Sequence, residues 1–266
     1  MHSARSTTWG RQVLSRILGR MRSLVLWDID LTLVNLSGVG YDWYEQALSE
    51  VTGHALERFP SCAGRTEQWI TAEVLRSHGL EAGTATVRRM WDRLVAISAA
   101  GRDSLPSRGH ALPGAGRALA ALAERPDVVQ SLVTGNLPEI ARHKLAAFGL
   151  DTHLDFDIGG YGSLSELRDE LVGHAIRRAT GKHGLVPESI VVIGDSPHDV
   201  TAARRHDARA VGVTTGGSAA DDLYEAGATV VLSDLVDTSS VLHALDQGGS
   251  AAPDVDRAGR GGGSIV

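Results

Sequence analysis

SLVLWDIDLT, residues 23–32, decides the fold. Its first half is apolar almost throughout, with none of the alternation that marks a half-exposed strand. That is the pattern of a parallel strand covered on both faces. The strand runs straight into two aspartates, Asp28 and Asp30, with the Thr32 hydroxyl just beyond. In open α/β sheets, ligands gather at the carboxyl ends of the strands. Both carboxylates therefore arrive where a site is expected. Oxygen donors of this kind suit a hard cation such as Mg²⁺, although two aspartates at a strand end can equally serve as loop caps.

Working outward, four more runs share the character of the first: DVVQSLVT (127–134), SIVVIGD (189–195), RAVGVTT (209–215) and ATVVLSD (228–234). Helical patterns separate them. One follows Pro113, with Leu119 and Leu122 on one face. Another follows Pro138, with Ile140, Leu145 and Phe148 facing inward and Gly149 as its stop. Strands alternating with helices predict an α/β fold with a doubly wound parallel sheet.

One stretch departs from this alternation. No convincing strand occurs between about residues 38 and 111, where three helical runs carry Trp69, Val74, Leu75, Val87, Met90, Trp91, Leu94 and Val95 near helical spacing. The expected organisation is a core domain from residues 21–37 and 112–246, with a helical cap domain, 38–111, inserted after the first strand. The connections near Asn35–Gly40 and Pro106–Pro113 are Gly/Pro-rich and read as hinges. Residues 1–20 are arginine- and serine-rich without an acidic residue, and read as a disordered extension or as sequence ahead of a working start at Met21. The Gly/Ala/Ser-rich tail 247–266 has too little apolar content to order itself.

Composition narrows the function classes. A net charge of −6 gives no reason to expect nucleic-acid binding. No apolar run approaches the roughly 20 residues that span a bilayer. The single cysteine, Cys62, forms no internal disulfide and fits a reducing, cytoplasmic setting. Of 26 basic residues only two are lysines, Lys144 and Lys182.

Two further strand ends carry chemistry. The run at 127–134 closes on Thr134-Gly135-Asn136, then Pro138 opens a helix. A hydroxyl, an open glycine backbone and a helix N-terminus can cradle phosphate, and Asn136 can equally be a routine cap. The run at 189–195 closes on Gly194-Asp195-Ser196-Pro197-His198-Asp199. Asp195 leaves the sheet at the same edge as Asp28, and Asp199 sits in the first turn of the next helix, where a carboxylate also complements the helix dipole.

Taken together, DIDLT, TGN and GDSPHD at successive strand ends resemble motifs I, II and IV of the haloacid dehalogenase-like superfamily. The resemblance covers about residues 23–236. It implies an aspartyl-phosphate mechanism in which Asp28 is the nucleophile and Asp30 the acid and then the base. It further implies Mg²⁺ held by Asp28, the Asp30 backbone carbonyl and Asp195, with Asp199 orienting the metal site. Thr134 would hold a phosphoryl oxygen, helped by the Gly135 and Asn136 backbone. The superfamily usually has a lysine at motif III, where this chain offers Arg168. Lys182 is the rival, but a helix of about 12 residues from Asp169 would carry it about 18 Å toward the far edge. Lys144, mid-helix after motif II, is expected at the surface. Arginine supplies the same charge with a planar fork.

The helical insert resembles the α-helical cap of phosphoglycolate phosphatase-like members. Its Gly64-Arg65-Thr66 loop would face the core and make Arg65 and Thr66 candidate substrate contacts. The implied reaction is hydrolysis of a small phosphorylated metabolite. The alternatives are phosphoryl transfer of the β-phosphoglucomutase type and a non-catalytic binding protein on the same fold. A dehalogenase is disfavoured, since that branch generally lacks the second aspartate.

Overall fold

The computed structural model describes residues 23–184 and 187–246. The expected N-terminal extension, the start at Met21 and the expected tail from 247 lie outside the described residues. The elements run in chain order β1 (Ser23–Trp27), β2 (Val34–Asn35), α1 (Val39–Thr52), α2 (Glu67–Ser77), α3 (Thr84–Gly101), α4 (Leu105–Arg108), β3 (His110–Ala111), α5 (Ala115–Ala123), β4 (Val128–Thr134), α6 (Pro138–Ala146), β5 (Gly160–Tyr161), α7 (Arg168–His183), β6 (Ser189–Gly194), α8 (Pro197–Arg204), β7 (Arg209–Val213), α9 (Ala220–Ala226), β8 (Val230–Leu232) and α10 (Thr238–Asp246). Among the described residues no helix is long and apolar enough to cross a membrane.

Six parallel strands form the main sheet, in the order β5-β4-β1-β6-β7-β8. The first strand is central, as its uninterrupted apolar run requires. Val25 and Trp27 pack into one hydrophobic cluster and Leu24 and Leu26 into the other, so successive side chains serve opposite faces. The polar edge of Trp27 is satisfied inside: its indole N–H donates to Gln130 Oε1 at 3.1 Å, and Gln130 Nε2 donates to the Leu119 carbonyl at 2.9 Å. A buried amide left unpaired here would cost about 1–3 kcal/mol.

β1 lies between β4 and β6, so the three strands carrying the candidate motifs are immediate neighbours. Their carboxyl ends, at Trp27, Thr134 and Gly194, converge on one edge. The short β5 matches none of the apolar runs that mark strands in the sequence. It consists of only Gly160 and Tyr161, without an apolar run, and is defined by pairing to Val133 and Thr134 alone.

Residues 39–101 form three long helices whose buried residues join the hydrophobic cluster on the Val25–Trp27 face of the sheet. Val74, Leu75, Met90 and Leu94 are fully buried there, while Trp69, Val87, Trp91 and Val95 pack partly buried against them. One strand does occur between residues 38 and 111: β3, at the end of that stretch, pairs antiparallel with β2, Val34 opposite Ala111 and Asn35 opposite His110. The two connections expected as hinges are thus laced side by side. A two-residue pair leaves no periodicity for the sequence to show.

Candidate active site

The first carboxylate is placed by the sheet. Asp28 follows β1 and its backbone N–H donates to the Ile193 carbonyl on β6 at 2.9 Å. The chain then turns sharply. The Leu33 and Val34 N–H groups return to the Ile29 carbonyl, and Leu31 adopts a left-handed φ of 60°. A branched residue there costs on the order of 1–3 kcal/mol and persists only where its surroundings over-determine it. The Leu31 N–H donates to Val34 O at 2.8 Å, and its carbonyl accepts from Thr215 Oγ1. This turn sets Asp30 on the cavity wall, apart from Asp28.

Asp28, Asp195 and Asp199 are buried and offer carboxylate oxygens within 4.8 Å of one another. Arg168, the first residue of α7, is buried among them. Its Nη2 lies 2.8 Å from Asp28 Oδ1 and 2.6 Å from Asp199 Oδ1, and its Nε donates to Asp199 Oδ1 at 2.7 Å. Burial works against the guanidinium's charge, but Asp199 and Asp28 more than offset this and hold it protonated. Burial likewise pushes Asp28 well above the usual carboxylate range. Arg168 pulls it back, and Asp199 and Asp30 repel it. Asp195 is raised by burial and then by repulsion from Asp28 and Asp199. Three carboxylates face one guanidinium, and two of them, Asp28 and Asp195, line the cavity as an oxygen donor set. A divalent hard cation fits that set.

Asp199 has no free oxygen. Oδ1 faces Arg168, while Oδ2 accepts from the Ser196 hydroxyl at 2.6 Å and the Ser196 backbone N–H at 3.2 Å. The Ser196 hydroxyl in turn accepts from the Asp199 N–H, a reciprocal cap at the start of α8. Asp199 therefore both caps α8 and pairs with Arg168.

Asp30 turns its carboxylate away from this cluster. Both of its oxygens lie 2.7 Å from Lys144 Nζ, and Oδ2 also accepts from Asn136 Nδ2 at 2.8 Å. This corrects the expectation for Lys144. It is buried, not at the surface, on the inward face of α6 with Ile140, Ala141 and Leu145. Position 144 is four residues after Ile140, so helical geometry already puts it on that face. Helical side chains lean toward the helix N-terminus, and the long lysine stem reaches back from there to the sheet edge. Lys182 goes where the helix rise sends it, to surface pairs with Asp155 and Asp157.

Thr134 is fully buried, and its hydroxyl accepts from Asn136 Nδ2 at 2.8 Å and the Asn136 N–H at 3.3 Å. The next residue explains the need for glycine: a Cβ at position 135 would lie 2.0 Å from the Arg65 carbonyl oxygen. The helical segment presses directly on this loop. The N–H groups of Glu67 and Gln68, at the start of α2, donate to the Gly135 and Gly162 carbonyls at 2.8 and 2.9 Å. Ser98 Oγ also lies 2.8 Å from His143 Nδ1, tying α3 to α6. Gly64, at φ +65°, is similarly tight against Ser196 and His198.

A cavity of about 440 Å³ lies between the two parts, lined by Asp28, Asp30, Asp195, Arg168 and, from the helical segment, Cys62 and Arg65. The Arg65 guanidinium stacks over the Trp69 ring at 4.5 Å. Thr66 does not reach the cavity. It is fully buried, and its hydroxyl accepts from the Trp69 N–H as the N-cap of α2, which accounts for its identity without a ligand. Burial pushes the Cys62 thiol up to about 12, so it is no nucleophile at neutral pH. Glu67, which no motif in the sequence marks, also lies buried at the start of α2. Its buried carboxyl accepts from the Tyr44 hydroxyl, and burial raises it to about 7.

Comparison by sequence with curated proteins gives no significant match. Solved structures share the fold. A hydrolase from Pseudomonas syringae superposes with a TM-score of 0.60 at 24% identity, over 86% of this chain and 100% of that one. A protein described as a predicted phosphatase from Clostridium acetobutylicum gives 0.58 at 20%, over 84% and 99%. One described as a predicted phosphoglycolate phosphatase from Haemophilus somnus 129pt gives 0.57 at 18%, over 82% and 97%. A family model described as HAD-hydrolase-like matches residues 171–238. The model of the haloacid dehalogenase-like hydrolases matches residues 25–204, from the first strand through the Asp195–Asp199 turn, and the chain belongs to that family.

Proposed function

We propose that the chain is a Mg²⁺-dependent phosphomonoesterase acting on a small phosphorylated metabolite. The observation that carries the proposal is the joint position of Asp28 and Asp30 on one cavity wall, the first paired to Arg168 and the second held apart from it. A carboxylate beside a fixed cation can attack phosphorus without losing its charge. A second carboxylate that points elsewhere can move protons.

In the first half-reaction an Asp28 oxygen forms a bond to phosphorus as the bond to the leaving oxygen breaks. The Asp30 proton goes to that leaving oxygen. In the second, a water oxygen bonds to phosphorus, the bond to Asp28 breaks, and the water proton goes to Asp30. Asp28 and Asp195 would hold Mg²⁺ with the Asp30 carbonyl. When bound, the ion neutralises charge on the transferring group. Arg168 balances Asp28 before and after the bond forms. Asp199, with both oxygens committed, fixes the Arg168 fork in place. Thr134 accepts two hydrogen bonds, which leaves its O–H to donate to a phosphoryl oxygen, next to the Gly135 and Asn136 backbone.

Residues 38–111 act as a cap under this reading, with the β2–β3 connections as its hinges. Arg65 is the cap's cation at the cavity and reads an anionic or hydroxylated leaving group, while water is kept from the covalent intermediate until the leaving group departs. The test is a screen of phosphorylated metabolites with Mg²⁺, measuring released phosphate, followed by Asp28→Asn on the best substrate. Turnover should vanish with the fold intact. Near wild-type turnover in Asp28→Asn would rule out the covalent route.

A further inference from the structure

We propose that Lys144 is the positioning residue of Asp30, a buried ammonium that fixes the proton-transfer carboxylate in its working orientation. The inference rests on the reading above, in which Asp28 bonds to phosphorus and Asp30 moves the protons.

The two partners differ in setting. The Lys144 side chain is 9% exposed, while that of Asp30 is 44% exposed and opens into the cavity. Water could satisfy Asp30 by itself. Lys144 lacks that option, because a buried ammonium is costly unless paired. The pairing that meets this need takes both Asp30 oxygens at 2.7 Å, with Asn136 adding a third contact to Oδ2. Three donor contacts on one carboxylate fix its rotation. Stability gives little reason for such a pair, since apolar residues of similar volume often serve a buried position as well as an ion pair does. Orientation gives a better one. A displacement of about 1 Å in a reacting group can cost about 10²-fold in rate.

Composition points the same way. The chain takes arginine almost everywhere it takes a long cation, yet has lysine here. A compact ammonium can approach both oxygens of one carboxylate from the interior. A guanidinium fork would need a wider opening. The other lysine, Lys182, is a surface residue about 21 Å along α7 from Arg168 at 1.5 Å per residue, and shares none of these features.

The test is rapid-mixing kinetics with p-nitrophenyl phosphate and Mg²⁺ on the full chain, comparing wild type, Lys144→Met and Asp30→Asn. Nitrophenolate leaves without protonation, so the first turnover needs no acid, whereas hydrolysis of the intermediate needs Asp30. Lys144→Met should give a burst of about one nitrophenolate per chain at close to the wild-type rate. Turnover should then slow by roughly 10–100-fold, the scale of a misplaced group. The burst amplitude counts folded sites, and Lys144→Gln gives a second variant should Met fail to fold. A purely structural Lys144 would lower both phases alike, and that result, or unchanged kinetics, overturns the proposal. If Asp30→Asn stalls after a burst and Lys144→Met does not, the positioning role alone is wrong. If Asp30→Asn shows no stall, the acid–base assignment fails and the positioning role falls with it.

Discussion

Replacing Arg168 tests the electrostatic core of the site. Its guanidinium spans two buried carboxylates, Asp28 at 2.8 Å and Asp199 at 2.6 Å, and its own side chain is 6% exposed. Arg168→Ala leaves both without their cation. Removing one partner of a buried ion pair costs about 3–5 kcal/mol of stability. The catalytic loss is a separate quantity. Removing a fixed donor from developing charge costs about 2.7–4 kcal/mol, or about 10²–10³ in kcat. The stability loss should shrink as pH falls, because the orphaned carboxylates take up protons and no longer need a cation. Arg168→Lys restores one charge but not the fork, so it should recover part of each loss. Lys182→Ala, at the surface with Asp155 and Asp157, should leave kcat within about twofold of wild type, because the rise of α7 carries it about 21 Å from Arg168. The assays are urea unfolding at two pH values and steady-state kinetics on one substrate. Arg168→Ala with kcat within about threefold of wild type, or a dead Lys182→Ala, would overturn Arg168 as the cation of the site.

A chelator should abolish activity and added Mg²⁺ restore it, given the oxygen donor set that Asp28 and Asp195 present to the cavity. Full activity in excess chelator would contradict this. Glu67→Gln should flatten the pH dependence of stability. Burial raises the folded-state value from 4.5 to about 7, so the contribution of Glu67 is complete below 4.5 and is lost as pH rises through about 7. The variant should therefore gain on wild type in urea unfolding at pH 8 relative to pH 4.5, and an unchanged difference would count against the buried carboxyl. Gly135→Ala should part the helical segment from the motif II loop, since its Cβ would meet the Arg65 carbonyl oxygen at 2.0 Å. Activity and unfolding midpoint should both fall, and wild-type behaviour in both would show that the close approach is not needed.

Much of the site was legible because it is local. Asp28, Thr134 and Asp195 each lie at or next to the end of an apolar run, and parallel strands deliver their ends to one edge whatever their order. The choice of Arg168 over Lys182 needed only the rise of a helix, and α7 carries Lys182 away as expected. What the sequence could not settle depends on side-chain reach and on contacts between distant segments. A charge in mid-helix such as Lys144 is usually solvated, and the sequence alone puts it at the surface. Its position four residues after Ile140 marked the inward face, but its partner, Asp30, is 114 residues away in the chain. Thr66 is a candidate contact only through the resemblance of its loop to cap loops that face the core. Only the turn of α2 beside it spends that hydroxyl on the Trp69 N–H. β5, the β2–β3 pair and the buried Glu67 exist through partners far off in the sequence. Local chemistry wrote the strand ends and their acidic residues into the sequence. The tertiary structure alone decided which carboxylate faces which cation, because that choice is made by distances between residues that no spacing along the chain encodes.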